Sequence, residues 1–107
     1  MDLKGKRIKV LVRRNLELSP GKRAAQSVHA VLGLAGLLSA SPRELGMLAN
    51  TTCVVLDASD RKFDRELEKQ VDAGNTVHVF LDAGFTEVEK DTVTCMAFLE
   101  LDPKGGQ

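Results

Sequence analysis

Nowhere does the chain hold the roughly 18 consecutive apolar residues that a membrane-spanning helix requires. The opening MDLKGKRIKVLVRR runs straight into a strand-like segment, without the apolar stretch of a cleavable leader. No membrane partner is expected, and a cytoplasmic protein is. Cysteine is scarce as well: Cys53 and Cys95, 42 positions apart, form no CxxC pair and no zinc-ligand pattern with the two histidines. No metal-ligand cluster is read in the sequence, no cofactor is called for, and both thiols are read as buried and reduced. Internal repeats, low-complexity tracts and linkers are also missing. The 107 residues have room for one domain and one modest core.

What is present is ordinary globular material, 43% hydrophobic and 28% charged, outside the composition of disordered chains. The net charge of zero hides a division. Residues 1–50 carry nine Lys and Arg against three Asp and Glu, and residues 51–107 carry six against twelve. The basic half, with Arg13, Arg14, Lys22 and Arg23 among its charges, hints at a polyanionic partner.

RIKVLVRR, Arg7 to Arg14, alternates as a strand. Ser19-Pro20 supplies a capping hydroxyl and a first-turn proline for a helix from Pro20 to Leu38. Its residues Ala25, Val28 and Leu32 are expected to face the sheet. Ser41-Pro42-Arg43-Glu44 reads as a capping box opening a short helix that ends near Asn50. Thr52 to Asp57 is a β-branched run expected to be a strand buried on both faces. A third helix, capped by Ser59 or Asp60, presents Phe63, Leu67 and Val71 as one stripe and stops at Gly74. Thr76 to Leu81 and Thr92 to Leu99 complete four strands and three helices. The order of elements predicts an α/β fold, largely parallel with helices on both faces. The fourth strand should be antiparallel, because about ten helix-free residues precede it.

Ligands of such sheets gather beyond the carboxyl ends of the parallel strands, here near Arg13-Arg14, Asp57 and Asp82. Lys22, Gln26 and His29 share one face of the first helix at i, i+4 and i+7. Asp82 ends an apolar strand at the sheet rim. Thr86 lies in the following loop, and Thr92 and Thr94 share a face of the last strand with Met96 and Phe98. Each residue alone has a structural explanation: a solubilising lysine, a hydrogen-bonded histidine, a turn-capping aspartate, ordinary strand threonines.

Two stretches raise their significance together. RRNLELSPGKRAAQSVHA resembles the N-terminal signature of the archaeal/eukaryotic-type (type II) peptidyl-tRNA hydrolase family, and DAGFTEVEKDTVTCMA is similar to that family's D-A-G-x-T and T-V-T segments. The resemblance covers about residues 7 to 102. It implies a three-layer α/β/α domain with a four-stranded mixed sheet in the order 2-1-4-3. It also implies hydrolysis of the ester joining a peptide to tRNA, without a metal. Carried over by position, the family's site makes Lys22, His29, Asp82, Thr86 and Thr94 the catalytic candidates. Gln26 and Thr92 are their neighbours on the substrate side, and Arg13, Arg14 and Arg23 are the expected tRNA contacts. A catalytically inactive RNA- or protein-binding module on the same fold is the alternative. Asn15, Pro20 and Phe85 depart from the family pattern, with two positive charges lost and weaker tRNA binding expected. The sequence closes on LELDPKGGQ, where the family's C-terminal helix would follow. Apolar surface left uncovered is expected, with a second subunit in a homodimer as a candidate to bury it.

Overall fold

The computed structural model describes residues 1–82 and 92–104, apart from the side chains of Asn15 and Thr92. The elements run β1 (Lys6–Arg13), a 3-10 turn (Arg14–Leu16), α1 (Pro20–Leu37), α2 (Pro42–Ala49), β2 (Cys53–Ala58), α3 (Asp60–Asp72), β3 (Val77–Asp82) and β4 (Thr92–Leu101). Sheet order is β2-β1-β4-β3, with β1 and β2 parallel and β4 antiparallel to both of its neighbours. The expected order and the antiparallel last strand are both present. Three of the four described strands point the same way, yet only one hydrogen-bonded pair among them is parallel, because β4 lies between β1 and β3.

Alternation in β1 explains the two cores. Ile8, Val10 and Val12 face α1 and pack with Ala30, Leu34, Cys95 and Ala97. Leu11 faces α3 and packs with Ala58, Phe63, Met96 and Phe98. This gives an α/β/α arrangement with β1 and β4 at its centre. The helix starts are built as their sequences dictate. The side chains of Ser19, Ser41 and Ser59 each accept a backbone N–H three residues on, and Glu44 returns the bond to Ser41 to complete the capping box.

Several expectations about packing are corrected. β2, at the sheet edge as the expected order has it, is not buried on both faces: Cys53 and Val55 are exposed because α1 lies over β3, β4 and β1, and Leu56, in register with Leu11 on the α3 side, is exposed as well. Cys53 is accordingly an exposed thiol, whereas Cys95 is buried. In α1 the buried face is Gln26, Ser27, Ala30, Leu34 and Ala35, while Val28 and Leu32 are 57% and 61% exposed. Small residues let the helix settle close to the sheet, and the buried Gln26 finds a polar partner on β3. The stripe of α3 is buried at Phe63 but exposed at Val71.

β4 also departs from strict alternation. Phe80 pairs with Cys95 but Leu81 pairs with Val93, so Thr94 is the extra residue of a bulge. Val93 consequently packs with the α3-side cluster beside Met96 and Phe98, and Thr92 comes into register with Asp82. The single face expected for Thr92, Thr94, Met96 and Phe98 is broken at this point.

Candidate active site

The site is assembled where the first turns of α1 meet the end of β3. After β1 the 3-10 turn reverses the chain, helped by Glu17 in the left-handed region at φ 51. Leu18 then anchors in the α1-side core, and the Ser19 cap starts the helix. Lys22 thus falls in the first turn, with Gln26 one turn further on.

Both residues converge on Asp82. The Gln26 side-chain amide donates from Nε2 to Asp82 Oδ2 at 2.6 Å, and Lys22 Nζ lies 3.2 Å from the same oxygen. A carboxylate only accepts, so this contact fixes which end of the Gln26 amide faces Asp82. Asp82 is 3% exposed and Gln26 is completely buried. Burying such a carboxylate is tolerable because an ammonium and a hydrogen-bond donor meet it directly. Oε1 of Gln26 has no hydrogen-bond partner among the described residues.

Behind this group, β4 is fastened to α1. The Cys95 thiol donates to the Gln26 carbonyl at 3.3 Å, beside the buried Thr94 hydroxyl. Burial pushes that thiol up to about 11, with the Thr94 hydroxyl acting in the opposite sense. It is a neutral donor within the fold. The bulge places Thr94 immediately before this contact.

The remaining candidates are distributed as follows. His29 is exposed and lies beside the group, its ring stacked on Phe80 with centroids 5.1 Å apart and planes 20° from parallel. It makes no hydrogen bond to Asp82 or Lys22 among the described residues. Thr86 and the Thr92 side chain lie outside the described residues, as does Phe85. Of the basic residues, Arg13 turns to the α3 face. Its Nε donates to the Val93 carbonyl at 2.9 Å, its other nitrogens reach Asp60 and Asp64 at 3.0 Å each, and its guanidinium lies over the Phe63 ring. Arg23 pairs with Asp57 toward β2, and Arg14 is exposed on the 3-10 turn.

One feature went unread in the sequence, and another was expected only as uncovered apolar surface, without its place. Phe80 and His78 share with Asp82 the β3 face that meets α1, although period-two alternation in VHVFLD contained this signal. The second is an open apolar groove of about 870 Å³ on the opposite flank of α1, lined by Val10, Ala24, Val28, Leu32, Cys53 and Val55. It arises from the uncovered β2 edge and lies on the other side of the helix from Asp82.

Chemically, the arrangement offers a buried carboxylate oriented through one oxygen, with an ammonium alongside. This combination can position a water molecule and stabilise negative charge next to it. Comparison with known proteins gives the same direction. The model of the family described as Peptidyl-tRNA hydrolase PTH2 matches residues 7–103. A protein of Methanopyrus kandleri (strain AV19) named peptidyl-tRNA hydrolase is 39% identical over 90 residues, spanning 81% of this chain and 78% of the relative. With nearly its whole length matched and the fold in the expected strand order, the chain belongs to the peptidyl-tRNA hydrolase PTH2 family.

Proposed function

We propose that the chain hydrolyses the ester between the peptide and the ribose of peptidyl-tRNA, with Asp82 and Lys22 at the centre of the reaction. Water attacks the ester carbonyl carbon, and the carbonyl oxygen becomes an oxyanion. Collapse of the tetrahedral intermediate expels the ribose oxygen, which takes up a proton. Asp82 positions or deprotonates the water, directly or through a threonine hydroxyl, and the Lys22 ammonium stabilises developing negative charge. Gln26 holds the carboxylate in orientation. His29 borders the site, and Thr94 supports it from the bulge.

The observation that carries this reading is the convergence of Lys22 and Gln26 on the buried Asp82, joining two separate sequence motifs. Family membership supplies the substrate class. The exposed Arg14 supports tRNA contact near the end of β1, and such a substrate suits the cytoplasm. Exposed Val28, Leu32 and Val55 support a second copy of the chain as cover for the apolar flank, which sedimentation equilibrium reads directly.

The test is release of peptide from an N-blocked aminoacyl-tRNA at low salt. Asp82→Asn and Lys22→Ala should each reduce kcat by about 100-fold or more, the scale of a lost general base or charge-stabilising group. No release by the intact, folded protein would replace this reading with that of an RNA- or protein-binding module.

A further inference from the structure

The contact between α1 and β3 is a ladder of three rungs, because residues 78, 80 and 82 of the strand face the same way. At the upper rung Asp82 meets Lys22 and Gln26. At the middle rung Phe80 stacks on His29. At the lower rung the His78 ring enters the helix surface itself. Its Nδ1 is 3.1 Å from the Ala30 carbonyl oxygen, which can only accept, so Nδ1 carries the proton. The ring has room there because residue 33 is glycine. A Cβ at Gly33 would lie 2.0 Å from Cε1, 2.2 Å from Nδ1 and 2.3 Å from Nε2 of His78.

We propose that His78, seated against Gly33 and hydrogen-bonded to Ala30, is a positioning residue for Asp82, and this rests on the reading of Asp82 as a reacting group. From His78 to Asp82 the strand rises about 13 Å, and from Gly33 to Gln26 the helix rises about 10 Å. The two segments are rigid over these lengths. Fixing the lower rung therefore fixes the height and separation at which the carboxylate meets Lys22 and Gln26. The middle rung, a ring stack, permits sliding; the hydrogen bond and the fitted seat do not. β3 needs this restraint because it is the outer strand of the sheet and pairs only with β4 among the described strands. A displacement of about 1 Å at a reacting group is enough to cost around 100-fold in rate.

Four variants and one spectroscopic reading test the assignment. Gly33→Ala fills the seat, and either the ring leaves, breaking its hydrogen bond, or β3 backs away. His78→Leu keeps apolar bulk without a donor. Both should lower kcat for peptide release by about tenfold or more with KM changed less than about twofold, the pattern of an interaction lost in the transition state. His78→Asn retains a donor near the Nδ1 position and should keep most of the rate. Leu48→Ala, in the same core but on α2, should lower the melting temperature without lowering kcat. In parallel, the Gln26 side-chain amide proton, shifted downfield by its bond to Asp82, should move toward the free-amide position in Gly33→Ala and His78→Leu but not in His78→Asn. Unchanged kcat in Gly33→Ala and His78→Leu, with melting temperatures lowered as in Leu48→Ala, would overturn the proposal. So would an unmoved Gln26 resonance. If the intact protein releases no peptide, the hydrolase reading fails, and the resonance alone still decides whether His78 governs the Asp82 contact.

Discussion

Lys22 and Gln26, one helical turn apart, grip the same oxygen of Asp82 from a helix that joins the sequence 56 residues before Asp82, counting from Gln26. A cation and a neutral donor on one acid make it a dependable carboxylate. The neutrality of Gln26 is therefore as significant as the charge of Lys22.

Replacing that neutrality tests it. Gln26→Glu would set a second carboxyl group against Asp82, and two such groups at this distance share a proton. The folded pair then keeps a proton that the unfolded chain has released. Stability of the variant should fall as pH rises from the ordinary carboxylate range up through the raised value of the folded pair. Peptide release at pH 7 should drop about tenfold or more, with the acidic limb of the pH–rate profile moved upward. Parallel rate and denaturation profiles from pH 4 to 9 check both.

Removing only the cation should be costlier to the fold than removing both charges. Lys22→Ala leaves a buried acid without its ammonium, whereas Lys22→Ala combined with Asp82→Asn removes the charge that the ammonium offsets. The Lys22 side chain is 19% exposed, so solvent screens part of the interaction. A coupling energy of about 1–2 kcal/mol is expected from a double-mutant cycle in urea.

The basic residues should divide by role. Arg14, exposed on the turn, is expected to contact phosphate. Arg14→Gln should flatten the log–log salt dependence of tRNA affinity by about one unit. Arg13 is already bound to Asp60, Asp64 and the Val93 carbonyl, so Arg13→Gln should change the denaturation midpoint more than the salt slope. Salt titrations and urea melts of each single variant separate the two effects.

At the start of α2, Glu44 meets the amino-terminal ammonium of Met1 at 2.8 Å and the backbone N–H of Ser41 at 2.9 Å. The Met1 ammonium first, then the Ser41 N–H, hold its carboxyl at about 2, below the ordinary value of 4.5. A carboxyl lowered on folding stabilises the protein above its unfolded value, and that contribution disappears as pH falls through the folded one. Acid titration should therefore show stability lost between about 4.5 and about 2 that Glu44→Gln no longer shows.

The two cysteines should react in sequence. Cys53 is exposed and Cys95 is buried with its thiol at about 11, so a thiol reagent should modify Cys53 in the folded protein and Cys95 only on unfolding. Mass spectrometry after brief labelling distinguishes them.

Much of this architecture was legible because local signals and the fold agree. Ser19-Pro20, Ser41 to Glu44 and Ser59 state where helices begin, and the structure uses each as written. The shared face of Lys22 and Gln26 was likewise a matter of helical spacing. What escaped was set by long-range packing. The run in β2 has the composition of a strand buried on both faces, but how far the helices reach over an edge strand is decided by their packing on the other three. Val28 and Leu32 look like a core face, yet the buried Gln26 and small residues such as Ala30 decide how α1 rolls. The bulge at Thr94 depends on the register with β3, which composition does not encode.

The position of β2 has a practical consequence for handling the protein. Among the described strands it pairs only with β1, so alternate backbone N–H and C=O groups along CVVLDA point outward, and Asp57 is its only charged side chain. Proline and lysine, the usual deterrents to strand addition, are both absent from it. Concentrated solutions should thus cohere edge to edge at this strand first, and a single Val55→Lys change there should raise the solubility limit while leaving peptide release intact.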